Sequence, residues 1–157
     1  MTIPTRVVFD CNIFLQALTS PDGPAGKCVQ LVIDGKVDLY LSPTVLEELA
    51  EVASRPKVIA KLHLTPNRTH EFLEVIEATA TVLAGFPEPF VYPRDPDDAH
   101  YVNLAATANA NVIVSRDKDL LDLMDPTKPD AADFHNRFPL LRILDPVSFL
   151  GEIGESV

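Results

Sequence analysis

Carboxylates recur at four places in this chain where a turn or a helix start is also expected, and side chains of that type can hold a hard cation or move a proton. Asp10 ends the apolar run Val7-Val8-Phe9 and is followed two residues later by the carboxamide of Asn12. Glu48 lies in Ser42-Pro43-Thr44-Val45-Leu46-Glu47-Glu48-Leu49, and Asp98 closes Asp95-Pro96-Asp97-Asp98. Asp117 follows Ile113-Val114-Ser115-Arg116 and precedes Lys118-Asp119. Four acids brought together raise one another's pKa and oppose folding. A divalent cation such as Mg²⁺ or Mn²⁺ removes that conflict and prefers oxygen ligands. The chemistry such a site supports is in-line phosphoryl displacement, with the phosphate polarised and the pKa of the attacking water lowered.

These acids can meet only if the elements carrying them share one edge. Strands are expected at 6–10, 37–41, 111–115 and 140–144, and helices at 13–18, 25–34, 42–53, 57–62, 65–84, 95–109 and 145–153. Helix starts are easy to read. A capping side chain precedes proline at Ser42-Pro43, Thr65-Pro66, Asp95-Pro96 and Asp145-Pro146, so Asp95 reads as a cap. The proline-rich stretch 87–93 is extended, and 125–139 reads as a long polar connection, a flexible loop or a partner-binding arm.

Alternating strands and helices imply parallel pairing with right-handed crossovers, hence a three-layer α/β/α fold with a central parallel sheet. In such sheets sites gather at the carboxyl ends of the strands. Asp10 and Asp117 sit there by construction. On the helix after Pro43, Glu48 lies about 40° outside the apolar stripe, while Glu47 and Glu51 point further towards solvent. On the helix after Pro96, Asp98 falls in line with Val102, Ala105 and Asn109, so its carboxylate faces the core and needs a partner or a cation.

The composition bounds the rest. A chain of 157 residues with 46% hydrophobic residues suits one domain spanning 1–157. A net charge of -10 argues against gripping nucleic acid by bulk charge, although cations filling an acidic cluster invert the local sign. Cys11 and Cys28, with no leader and no membrane-length apolar run, fit free thiols in a reducing cytoplasm. The histidines His63, His70, His100 and His135 show no metal-ligand spacing and read as surface or packing residues. Cys11 lacks a histidine partner and reads as a small buried thiol. Arg55, Lys57, Lys61 and Arg68 form a modest basic region that reads as solvated helix surface.

Taken jointly, Val7-Val8-Phe9-Asp10-Cys11-Asn12, the Ser42 to Leu49 segment, Asp95-Pro96-Asp97-Asp98 and the Ile113 to Leu121 segment resemble a PIN domain of the VapC-like type, as in toxin components of toxin–antitoxin systems. The resemblance runs from about residue 6 to 123. It implies Mg²⁺- or Mn²⁺-dependent cleavage of RNA, pairing with a small antitoxin, and a homodimer. It implies Asp10, Glu48, Asp98 and Asp117 as the catalytic and metal-holding quartet. Asn12 and Ser115 match small polar positions that orient the site, and Asp119 matches an outer carboxylate. Cys11 and Arg116 depart from the family pattern, which more often has a small hydroxyl residue and glycine there; Arg116 is left between a phosphate contact and plain surface.

Other functions fit the same residues less well. A haloacid-dehalogenase-like phosphatase requires a second aspartate where Asn12 stands, and a receiver domain requires paired acids and a later lysine that the chain does not match. A non-catalytic protein-binding module with the same fold, or an RNA-processing nuclease outside any toxin pair, are the remaining alternatives.

Overall fold

The structure, a computed structural model, describes residues 4–154. Five parallel strands form its sheet in the order β3-β2-β1-β4-β5. They are β1 (Thr5–Phe9), β2 (Val37–Leu41), β3 (Thr81–Val82), β4 (Val112–Val114) and β5 (Arg142–Leu144). Val7, Val8 and Phe9 are fully buried, as a central strand covered on both faces requires. The chain adds β2 and β3 on one side of β1, then returns to add β4 and β5 on the other. The strand order therefore switches between β1 and β4, where Val7 pairs with Val112 and Phe9 with Val114. That crevice is where open parallel sheets place their ligands.

Helices α1 (Cys11–Thr19), α2 (Pro24–Ile33), α3 (Pro43–Ala53) and α5 (Pro66–Thr79) pack together with the carboxyl-terminal α9 (Pro146–Glu152), and α4 (Pro56–Leu62) joins α3 to α5. Helix α6 (Ala99–Ala108) lies across β1, β2 and β4. Short helix α7 (Lys118–Leu121) and the 3₁₀ turn Asp122–Met124 after it pack on β5, and α8 (Ala131–Arg137) packs on that turn. The fold is a three-layer α/β/α sandwich on a parallel sheet, as expected.

Local differences from expectation have identifiable causes. The helix expected at 65–84 stops at Thr79, and Thr81 and Val82 form edge strand β3 against Tyr40 and Leu41. Both β3 side chains are exposed, so no apolar alternation announces the strand. Stretch 87–93 holds no strand. Asn103 stands in for one, its Oδ1 accepting from the Phe90 N–H and its Nδ2 donating to the Phe90 carbonyl, each at 3.0 Å. The connection 125–139 is not a loop, because α8 lies within it and buries Ala131 and Phe134. Phe134 meets Phe90 and Phe138 at ring separations of 6.1 and 5.7 Å.

Candidate active site

The site is built from the end of β1 outward. Asp10 is buried and caps α1, its Oδ1 accepting from the Ile13 N–H at 3.2 Å. Its own N–H donates to the Val114 carbonyl, which fixes it against the end of β4. One residue beyond β4, the Ser115 hydroxyl donates to Asp10 Oδ2 and accepts from the Asp117 N–H at 2.9 Å. Asp117 caps α7, with Oδ1 accepting from the Asp119 N–H at 2.8 Å. A continuous hydrogen-bonded path therefore links Asp10, Ser115, Asp117 and Asp119 across the switch in strand order.

The segment entering α6 supplies the facing wall. A 3₁₀ turn over Pro96–Asp98 brings Asp98 and Asp95 beside Asp117. Asp95, Asp117 and Asp119 each offer one oxygen within 4.8 Å of the others. Asp95 makes no capping hydrogen bond, so the cap reading fails. Its backbone, at φ -146° and ψ 85°, departs from the extended geometry shared by the Ser42, Thr65 and Asp145 caps. Arg94 holds Asp119 at 2.7 Å and Asp122 at 2.8 Å, which keeps Asp119 at the rim of the group.

Glu48 belongs to a neighbouring network. Its Oε1 accepts from the Tyr101 hydroxyl at 2.6 Å, and its Oε2 lies 3.1 Å from His100 Nε2. The Tyr101 oxygen in turn accepts from the Cys11 N–H at 3.0 Å. Glu48 is thus tied to the residue after Asp10, and like Asp10 and Asp98 it is outside the three-carboxylate group, of which Asp117 is the one member from the expected quartet. Asn12 has an exposed side chain, and its backbone N–H gives the Asp10 carboxylate only a minor contribution after those of Ser115 and Ile13.

His100 and Tyr101 were missed in the sequence, where His100 reads as a packing residue. The available signal was spacing: Tyr101 follows Asp98 by three residues and so shares its helix face.

The electrostatics separate these acids. Burial pushes Asp10 up to about 6, opposed by the hydrogen bonds from Ser115 and Ile13 and assisted by the Asp117 charge. Burial pushes Asp98 further, up to about 9, and the carboxylates of Asp117 and Asp95 add to it. Burial also acts on Glu48, but hydrogen bonds from His100 and Tyr101 outweigh it and hold Glu48 below the usual carboxylate range. Cys11 is pushed up to about 12 by burial and by the Glu48 and Asp10 charges, so it presents no thiolate.

One atom shows what the group is suited to hold. Asp98 Oδ2 is buried and has no hydrogen-bond partner. A buried carboxylate oxygen among other carboxylates costs free energy until a proton or cation reaches it. The oxygen-only donor set fits a hard divalent cation better than a soft one.

Comparison with known proteins agrees with this geometry. The PIN domain model matches residues 6–119, more than half of the chain. Uncharacterized protein MJ1680 of Methanocaldococcus jannaschii is 32% identical over 126 residues, covering 80% of this chain and 79% of that protein. PIN domains are generally nucleases that act on RNA with divalent metal ions. A match of this extent over the strand ends that carry Asp10 and Asp117 establishes that the chain belongs to the PIN domain family.

Proposed function

We propose that this protein is a metal-dependent endoribonuclease, working as one domain and serving as the toxin of a toxin–antitoxin pair. The observation that carries the reading is the orphaned, buried Asp98 Oδ2 beside Asp95 and Asp117, an arrangement relieved by a cation. Asp10, Asp98 and Asp117, with Asp95 added, would hold Mg²⁺ or Mn²⁺. When bound, the ion supplies a Lewis acid for the phosphate and lowers the pKa of an attacking water.

The chain's own groups prepare that chemistry. Ser115 orients Asp10 through one hydrogen bond and Asp117 through another. Glu48 is kept ionised by Tyr101 and His100, as a carboxylate that receives a proton from water must be. Asp119, shared with Arg94, steadies the start of α7 and adds negative charge at the outer edge.

An antitoxin or a second copy of the chain would meet the groove between α1, α2 and α5. Its walls include Leu18, Val29 and Phe72, and the half-exposed Ile33 and Val75 stand beside it. Among the described residues no helix is long and apolar enough to cross a membrane.

The test is cleavage of single-stranded RNA by protein freed of any partner, with Mn²⁺ or Mg²⁺ present. Cleavage is expected to stop in Asp10→Asn and Asp98→Asn. Cleavage that persists in both variants, or in chelator, overturns the proposal.

A further inference from the structure

The chain has seven arginines, and six are engaged. Arg6 and Arg68 donate to backbone carbonyls, and Arg55, Arg94, Arg137 and Arg142 pair with carboxylates. Arg116 is exposed and makes no hydrogen bond or ion pair among the described residues. Its backbone lies between Ser115 and Asp117, beside the acidic group, while its side chain faces the cleft between α1 and the start of α2. A guanidinium left unpaired at that point is a ready bidentate donor for a phosphate.

Arg116 forms part of the wall of a cavity of about 380 Å³ on the α1 side of the acids. Gln16, Thr19, Ser20 and Leu62 line it with the first residues of α2. Gln16 and Ser20 follow Asn12 at intervals of four, so one stripe of α1 leads from the end of β1 into the cavity. Gln16 lies about 6 Å along the helix axis from Asn12.

A second orphaned atom lies here. Gln16 Oε1 is buried behind that wall without a partner, so a turn of the half-buried Gln16 side chain into the cavity would give it a donor it now lacks.

Resting on the ribonuclease reading above, we infer that this cavity binds the nucleotide flanking the bond to be cut, its phosphate on Arg116 and its ribose 2′-hydroxyl on Gln16. The chemistry of the two groups is complementary to that ligand. The guanidinium only donates, to a phosphate oxygen, and the orphaned amide oxygen only accepts, from a hydroxyl that DNA lacks. In a chain of net charge -10, a cation placed one residue from the acids also draws the RNA backbone towards a cleft that otherwise repels it.

The test uses the full chain with Mn²⁺ and a single-stranded RNA several nucleotides long. Arg116→Ala is expected to raise KM about tenfold with kcat within about twofold, and Arg116→Lys to recover part of the loss. On a dinucleoside monophosphate, which has no phosphate besides the one being cut and so none for Arg116, the two proteins should match. Gln16→Leu should lose the wild-type preference for a ribose over a 2′-deoxyribose at one position beside the cut. Binding of the same RNA to Asp10→Asn protein should show a salt slope about 0.7 smaller once Arg116 is also removed. Wild-type cleavage with unchanged KM in Arg116→Ala, or with unchanged sugar preference in Gln16→Leu, overturns this inference and leaves the nuclease reading standing. A wild-type protein that neither binds nor cuts RNA overturns both.

Discussion

Asp98 is the residue whose ionisation the fold resists most among the proposed cation-holding acids, and this gives a signed prediction. Its carboxyl is raised from 3.8 to about 9, so without metal the folded state keeps a proton that the unfolded chain has released. Stability from this group is therefore fully present below about pH 4 and falls as pH rises towards 9. Asp10 acts in the same direction over the narrower window from 3.8 to about 6. Metal-free Asp98→Asn is expected to have a higher Tm than the parent at pH 8, with the gap closing at pH 4, as read by thermal unfolding. A lower Tm for the variant at pH 8 would show that the carboxylate is satisfied as it stands. Tyr101→Phe has the opposite sign. It removes the acceptor for the buried Cys11 N–H and a donor to Glu48, and should cost about 1–3 kcal/mol in urea unfolding. Asp98 could be anticipated from its place on a helix wheel. Asp95 could not, since its own sequence signal, an acid before proline, is that of a cap.

The elements were legible where one local rule determined them. Ser42, Thr65 and Asp145 each precede a proline, and each accepts from the N–H three residues on, at 3.2, 3.3 and 2.8 Å. β1 and β4 could be read because a strand buried on both faces is a plain apolar run. β3 and α8 were hidden because long-range packing makes them. β3 exists by pairing with β2, and the α8 segment has only Ala131 and Phe134 buried in a polar stretch. If α8 is a packed element, Phe134→Ala should destabilise the protein by about 3–5 kcal/mol in denaturant unfolding. A change under 1 kcal/mol would return 125–139 to the status of a loop. Gly26→Ala should likewise destabilise, since its Cβ meets the backbone of Pro21 rather than a side chain that can rotate away.

The central sheet accounts for how distant residues become one site. Asp10 and Asp117 are separated by more than a hundred positions, yet β1 and β4 are neighbours and Ser115 joins the two acids directly. That convergence followed from alternating strands and helices, whereas the separate Glu48, Tyr101 and His100 network did not, because it depends on how α3 meets α6. With a net charge of -10, the proposed cation would reverse the local sign where nucleic acid has to approach. RNA binding by Asp10→Asn protein, followed by fluorescence anisotropy, should weaken at least tenfold when Mn²⁺ is replaced by chelator. Partner-free protein incubated with single-stranded RNA and Mn²⁺ should cleave it, whereas an Asp10→Asn control should not, and neither protein should cleave in chelator; equal cleavage by parent and variant would rule out the proposed metal-dependent site at Asp10.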